Sequence, residues 1–289
     1  MSAARIVALV LAASAVATPA GLAIQRLALL EYEDGPSLTP GYEYLPGETV
    51  WLTCRVTGFV RAEKDKETGE EGARLSWNIR ATDSAGLLLE PPKLGIIEET
   101  LRSEDKDWVP KMSLSFTIPP FAPRGTYRIP VIVKDDLGKT QVSGQLEFRV
   151  RGEDAPPANA PLSYRNFRFL AREDDRAALR PAVYKQGAGL FARFDIIGYK
   201  FEGNNRFAVE YGLAIKGPPN AEGESKQMFT QETAASQSEE AFYPQRWVPA
   251  GFGLNLDPDI AMGDYTLIVT LRDKIGGASQ EFRENFRVQ

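Results

Sequence analysis

The chain has 289 residues, with 34 Lys and Arg, 39 Asp and Glu, one Cys and no His. The absence of His excludes Ser-His-Asp catalysis, Cys-His catalysis and His-ligated metals. A single Cys excludes an intramolecular disulfide and any Cys-rich metal site. The net charge of −5 argues against nucleic-acid binding, which requires a basic surface, and the length suits about two domains.

The N-terminal residues have the three-part pattern of a secretory signal peptide. Arg5 provides a positive charge, residues 6–13 are apolar, and the small residues that follow resemble cleavage sites near Ala17, Ala20 or Ala23. The apolar run is shorter than the roughly 20 residues that span a bilayer. We therefore expect residues 1–23 to be removed. The mature chain is then exported to the periplasm, cell surface or medium, with no transmembrane segment. The alternative is a buried N-terminal helix.

The rest of the sequence repeats itself. An offset of 140 residues aligns the early part of the chain with its second half, and the offset falls to 139 and then 138 further along. The aligned pairs include Tyr44 with Tyr184, Gly47 with Gly187, Trp108 with Trp247, Gly125 with Gly263, Tyr127 with Tyr265 and Asp135 with Asp273. Because the pairs keep their order, we interpret the chain as an internal duplication.

The repeat divides the chain into a first domain at 24–150, a linker at 151–163 and a second domain at 164–289. The linker is rich in Pro and Ala, which predicts a short and fairly stiff connection. The charged residues 61–73 are typical of a solvated loop. Residues 217–240 are polar and rich in Gly, Ser and Glu, which predicts a mobile loop.

Apolar residues alternate with polar ones in several segments, which predicts strands with one buried face. The clearest sets are Val50, Leu52, Cys54 and Val56; Tyr127, Ile129, Val131 and Val133; and Tyr265, Leu267, Val269 and Leu271. No sustained helical periodicity occurs beyond the first residues. The sequence therefore predicts an all-β protein of two tandem antiparallel β-sandwiches, with some seven strands each.

Each unit resembles an immunoglobulin-like or fibronectin-III-like domain of the bacterial exported kind. Cys54 lies where strand B is expected, Trp77 where strand C is expected, and Tyr127 matches the tyrosine-corner residue. Ile129 stands where the immunoglobulin pattern has its second Cys. The corresponding residues of the second unit are Phe194, Val209, Tyr265 and Leu267. The resemblance implies a fold and leaves the function open.

Four aromatic residues are candidate ligand or partner contacts. The alternation places Trp51 and its counterpart Phe191 on the outward face, where they could stack on a sugar or a partner's side chain. The structural alternative is that a loop or the other domain covers them. Trp108 and Trp247 are the first residues of a Trp-Val-Pro tripeptide that occurs in both repeats. They are either ligand platforms or apolar plugs closing one sandwich end, each before a strand at 114–118 or 252–256.

Several carboxylates could supply calcium ligands, but their spacing matches no defined calcium loop. These are Asp105, Asp107, Asp257, Asp259 and Asp264. Solvated turn carboxylates are the more common role. Cys54 is interpreted as a small core residue. We assign no catalytic residue, no cofactor and no metal site.

The sequence favours a non-catalytic exported interaction or scaffold protein, whose partner is an envelope protein or a polysaccharide. The alternative is a carbohydrate-binding accessory module of a glycan-degrading system. A less favoured version resembles two-domain periplasmic chaperones for surface fibres, whose basic anchoring pair is not assigned to residues of this sequence. A carboxylate-dependent hydrolase is a third hypothesis, although no Asp or Glu is singled out.

Overall fold

The computed structural model describes residues 21–220 and 222–289, so nearly all of the expected signal peptide lies outside it. The described residues form strands and no helix, and none of their segments is a helix able to span a membrane. The first half contains β1 (Ala23–Leu30), β2 (Glu43–Tyr44), β3 (Thr49–Thr57), β4 (Glu71–Ile79), β5 (Lys93–Leu101), β6 (Lys111–Thr117), β7 (Gly125–Asp135) and β8 (Thr140–Val150). The second contains β9 (Ser163–Leu170), β10 (Val183–Tyr184), β11 (Gly189–Ile197), β12 (Phe207–Pro219), β13 (Ser225–Glu239), β14 (Trp247–Asn255), β15 (Gly263–Asp273) and β16 (Ser279–Val288).

Each half is a β-sandwich with the same strand order. In the first half, the sheet β1-β3-β6 faces the sheet β2-β8-β7-β4-β5. In the second half, β9-β11-β14 faces β10-β16-β15-β12-β13. The predicted all-β fold is confirmed. Each half has eight strands instead of seven, because the two-residue strands β2 and β10 pair in parallel with β8 and β16.

The predicted inward-facing residues form the cores. In β3 the alternating apolar set is fully buried while its neighbours are half-buried or exposed, and β7 follows the same pattern. In β15 the alternating set is also buried, together with one neighbour, Ile268. Cys54 lies in the first core, as expected, and burial raises the pKa of its thiol to about 11. The thiol is therefore an inert packing group at neutral pH.

Both halves contain a tyrosine corner. The hydroxyl of Tyr127 donates to the carbonyl of Pro123 at 2.6 Å, and that of Tyr265 donates to Ala261 at 2.6 Å. Each bond reaches back four residues, which is the arrangement that the resemblance implied for Tyr127. It anchors the segment preceding β7 and β15 to the core.

An aspartate closes the turn after β7 and again after β15. Asp135 Oδ1 accepts hydrogen bonds from the backbone N–H groups of Leu137 and Gly138, while Oδ2 accepts from Val60. Asp273 has the same bonds in the second half. A Cβ at Gly138 would lie 2.5 Å from Asp135 Oδ2, so this position requires glycine. The repeated Asp and Gly are therefore explained by turn geometry.

The prediction of a mobile loop at residues 217–240 is wrong. β12 extends to Pro219 and pairs with the 15-residue strand β13, so these residues form a long hairpin. Nearly all side chains of β13 are exposed, because it is the edge strand of its sheet. A strand without a buried face carries no apolar alternation, which is why its composition resembled a loop.

Two smaller features also differ from expectation: where β4 begins, and where the two Trp-Val-Pro segments lie. β4 begins at Glu71, so only the earlier part of the charged segment 61–73 is a loop. The Trp-Val-Pro word of the second half lies inside β14, where Trp247 is opposite Ile197, whereas the word of the first half precedes β6. The two Trp-Val-Pro tripeptides therefore have different local structures.

The segment between β8 and β9 is bonded to both halves. The backbone N–H of Arg124 donates to the carbonyl of Glu153 at 2.8 Å, and its side chain forms an ion pair with Asp154. From the other side, Arg165 on β9 donates to the carbonyl of Asp154. These bonds hold the segment between β8 and β9 in place, in addition to the stiffness expected from its Pro and Ala content.

The tyrosine corners give a stability prediction. Replacing Tyr127 with Phe leaves the buried carbonyl of Pro123 without its donor, which should lower the free energy of unfolding by about 1–3 kcal/mol. Tyr265→Phe should have an effect of the same sign in the second half. Urea unfolding followed by circular dichroism measures both, with Tyr32→Phe, at an exposed position, as the control. Two variants as stable as the parent protein would contradict the assigned role.

Candidate binding site at the junction of the two halves

Residues between the strands of each sandwich form a junction between the two halves. The first half contributes the turn between β4 and β5 and the segment between β6 and β7. The second half contributes the segment from Glu240 to Arg246 before β14. The central contact joins Asp83 of the first half to Tyr243 and Arg246 of the second.

Asp83 is 1 % exposed, and both of its carboxylate oxygens are satisfied. Its Oδ1 accepts from the backbone N–H groups of Ala85, at 2.9 Å, and Leu87, at 2.8 Å. Its Oδ2 accepts from the hydroxyl of Tyr243 at 2.7 Å and from Nη2 of Arg246 at 2.8 Å. One oxygen therefore shapes the turn of the first half, and the other holds the second half against it.

Aromatic packing surrounds this polar contact. Tyr243 is buried among core residues of the first sandwich, although it belongs to the second half of the chain. Its burial and its hydrogen bond to Asp83 both raise the pKa of its hydroxyl, which therefore stays protonated and donates. Trp247 is also buried, with its ring centroid 6.0 Å from that of Phe121 of the first half in an edge-to-face contact. Arg165 lies over the Trp247 ring at 5.0 Å. The junction is thus packed as well as bonded.

A groove of about 700 Å³ opens beside the junction, and we call it the junction groove. Its most exposed apolar side chains are Phe242, at 48 %, and Leu87, at 40 %. The residues that line it are Leu87, Leu88, Gly203, Asn204, Asn205, Glu240, Ala241, Phe242 and Pro244. Both halves contribute to its walls, so the groove exists only while they are held together.

Two asparagines fix the backbone that presents Phe242. Nδ2 of Asn205 donates to the carbonyl of Phe242 at 2.6 Å and to that of Ala241 at 3.3 Å. Nδ2 of Asn204 donates to the Glu240 carboxylate at 2.8 Å. Tyr243, the next residue, is anchored in the first core. The exposed ring of Phe242 therefore projects from a segment restrained on both sides.

The four aromatic candidates from the sequence do not come together. Trp51 and Phe191 are half-buried on the three-stranded sheet of their respective halves. Trp108 is half-buried, with its ring 5.6 Å from that of Phe59. Trp247 lies in the junction, where its ring contacts that of Phe121, and it does not line the groove. Of the four, only Trp247 is near the site, where it has a packing role.

Phe191 has a specific environment. A Cβ at Gly189 would lie 2.6 Å from the Phe191 ring, and one at Gly253 would lie 2.8 Å from it. The ring therefore covers two neighbouring glycine positions on the outer face of the sheet. Such cross-strand cover of a glycine stabilises a sheet, and it also leaves an aromatic ring lying along the surface.

Three of the five carboxylates considered for calcium, those of Asp105, Asp257 and Asp264, have other partners. Oδ1 of Asp257 accepts from the backbone N–H of Asp259, and Asp264 forms a bidentate pair with Arg287. Asp105 accepts from the backbone N–H of Arg102. Among residues 21–220 and 222–289, no three Asp, Glu or Cys side chains converge as metal ligands would.

The sequence analysis missed the junction residues Asp83, Phe121, Tyr243 and Arg246. The sequence does contain one sign of these residues, which is a difference between the two repeats. With the offset of 139, Tyr243 aligns with Glu104 and Arg246 aligns with Asp107, so neither residue is repeated. Residues that form a junction between copies need not be repeated within each copy. Divergence at these positions was therefore the clue.

No known protein family matches the chain, and no curated protein matches it. Among the solved structures with a weak likeness to the chain are the following two. One is the Pseudomonas fluorescens alkylpurine DNA glycosylase AlkC bound to DNA containing an abasic site analog, with 14 % identity, a TM-score of 0.28, and coverage of 46 % of this chain and 31 % of that one. The other is red sea bream transglutaminase, with 9 % identity, a TM-score of 0.25, and coverage of 91 % and 31 %. The chain spans less than a third of either protein, and such likenesses carry no argument about function.

The junction gives a prediction about rigidity. Replacing Asp83 with Ala leaves Arg246 and Tyr243 without their acceptor, and breaking a buried ion pair in this way costs about 3–5 kcal/mol. We expect small-angle X-ray scattering to show a broader distribution of particle dimensions, while circular dichroism still reports two folded sandwiches. Asp34→Ala removes an exposed carboxylate paired with Lys111 and serves as the control. An unchanged scattering curve for Asp83→Ala would show that other contacts hold the halves.

Proposed function

We propose that the protein is a non-catalytic exported interaction protein that binds an extended segment of an envelope protein in the junction groove. The observation that carries the proposal is the exposed ring of Phe242, held in place beside a buried contact that joins the two sandwiches. The site then belongs to neither sandwich alone. This would explain why a protein with this function needs two of them.

The groove is arranged before any partner binds. Asn205 restrains the carbonyls of Ala241 and Phe242, and Tyr243 anchors the following residue in the first core. A site that is already ordered loses less conformational entropy on binding. Aromatic side chains, Phe among them, are enriched in protein–protein interfaces relative to the rest of the surface.

The chemistry of the groove favours a polypeptide as the occupant. Leu87, Leu88, Phe242 and Pro244 provide an apolar surface, and Glu240 is the single charged lining residue. The carboxylate of Glu240 is already bonded to Asn204. An apolar side chain can pack between Phe242 and Leu87, with neighbouring peptide groups facing the asparagine-rich wall. An anionic ligand has no cationic counterpart among the lining residues.

Export is proposed from the N-terminal sequence pattern. The first strand, β1, begins at Ala23. Cleavage after Ala17 or Ala20 would leave β1 whole, whereas cleavage after Ala23 would remove its first residue. The fold therefore favours one of the two earlier sites.

Site-specific photo-crosslinking tests the proposed function. A benzophenone amino acid at position 242 should form a discrete adduct with one envelope protein in living cells. The same group at position 262, where Met262 is 67 % exposed and outside the groove, is the control. Leu87→Asp should abolish the adduct at position 242, because it places a charge beside the ring.

Adducts of equal intensity at positions 242 and 262 would contradict the proposal, as would an adduct that survives Leu87→Asp. Either result would mean that contact at Phe242 is non-specific. Circular dichroism confirms that each variant is folded before its adducts are compared.

Phe191 favours carbohydrate binding as a second candidate function. Its ring lies along the outer face of the sheet over Gly189 and Gly253, in an orientation that allows a sugar ring to stack on it. Glycan-array binding that is lost in Phe191→Ala and kept in Phe242→Ala would support this candidate. Absence of binding to every soluble and insoluble glycan would exclude it.

A further inference from the structure

The edge of the first five-stranded sheet is exposed and regular. β5 is the last strand of this sheet, and it pairs with β4 over nine consecutive residues without a register shift. No described strand pairs with its other side. Edges of this kind are normally protected, because their free peptide groups can pair with another chain.

The corresponding edge of the second half is protected. There, β13 is the edge strand, and its pairing with β12 contains three register shifts. Its exposed side chains are mostly polar. Bulges of this sort twist an edge and oppose the addition of a further strand. The contrast makes the regular edge of β5 a distinct feature of the first half.

β5 also exposes apolar side chains. Leu94 is 68 % exposed and Ile96 is 57 % exposed, and they lie two residues apart on the outer face. Between them, Gly95 faces the other side of the sheet, where the ring of Trp77 occupies the space a Cβ would need. Ile132 of β7 lies near Leu94 and Ile96, beside the same shallow depression. Leu94, Ile96 and Ile132 therefore form an exposed apolar patch that reaches the edge strand β5.

The charges of β5 are complementary to those of a second copy of β5 that runs antiparallel to it. Lys93 begins the strand, and Glu98 and Glu99 lie toward its end. In an antiparallel pair of two β5 strands centred on Ile96, Lys93 faces Glu99 of the other copy, twice, while Glu98 faces Leu94 and contributes no charge pair. Ile96 then faces its own counterpart on the outer surface. Cross-strand pairs of opposite charge and of apolar residues both stabilise antiparallel sheets.

The start of β5 and its charges together favour this register. Pro92 has no N–H group and ends the usable edge, so the paired segment starts at Lys93. Centring on Gly95 pairs only residues 93–97 of both copies, and centring on Ile96 pairs residues 93–99. Centring on Ile97 pairs residues 93–101 but sets Lys93 opposite Leu101 and Ile96 opposite Glu98, so it loses the charge pairs. Lys93 already contacts Glu90 at 3.0 Å and the carbonyl of Ser115, which leaves one of its three protons for Glu99.

We propose that two copies of this chain associate through antiparallel pairing of β5 about a two-fold axis at Ile96. The two five-stranded sheets then form one continuous ten-stranded sheet. The junction grooves stay outside the contact, because β5 contributes no residue to their lining. The inference does not depend on the proposed function.

Sedimentation equilibrium of the purified chain, up to about 200 μM because interfaces of this size are weak, tests self-association. The parent protein should show a reversible dimer. Ile96→Lys should weaken it by about tenfold or more, since two like charges would face each other at the axis. Met262→Lys, which adds the same charge elsewhere, should leave it unchanged. A monomer at every concentration, or a dimer unaffected by Ile96→Lys, overturns the proposal.

Two further experiments test the register. Glu99→Lys should weaken the dimer, and adding Lys93→Glu should restore it by exchanging the paired charges. Ile96→Cys should form an intermolecular disulfide under mild oxidation, whereas Leu94→Cys should not, because its copy lies about 13 Å away along the strands. The native Cys54 is buried and does not interfere. Equal crosslinking at positions 94 and 96, or no rescue by the charge exchange, would overturn the register.

Discussion

The carboxylate of Asp83 is the contact on which the arrangement of the two sandwiches depends. A buried carboxylate is costly unless every oxygen is bonded, and here the bonds come from both halves of the chain. If the halves separate, the carboxylate loses Tyr243 and Arg246, and Tyr243 loses its place in the first core. Polar satisfaction and apolar burial therefore favour the same arrangement, and the junction groove is a consequence of it.

The repeated residues and the residues unique to one half have different roles. Asp135 and Asp273 close equivalent turns, and Tyr127 and Tyr265 form equivalent corners. Each of these roles is complete within one sandwich. The junction needs an acceptor on one half and donors on the other, so Asp83 and Tyr243 have no matching counterparts. A division of this kind lets two similar sandwiches perform a task that neither performs alone.

Much of the fold could be predicted from the sequence, and the site could not. Alternation identified the core strands because the predicted apolar faces of β3, β7 and β15 are buried. It failed for β13, which lies at an edge with little buried surface and therefore has no apolar pattern. The four aromatic candidates were chosen for their residue type, but the positions that form a site depend on which loops meet. That information lies in the tertiary arrangement, where residues 83 and 243 come together across 160 positions of sequence.

The central claim is that the contact at Asp83 makes the two sandwiches one rigid unit. Residual dipolar couplings of backbone amides, measured on the parent protein in a weakly aligning medium, test it directly. The account predicts that couplings from β3, β4 and β7 and those from β11, β12 and β15 fit a single alignment tensor. Two tensors that differ in magnitude would show that the halves move independently, and would contradict the account.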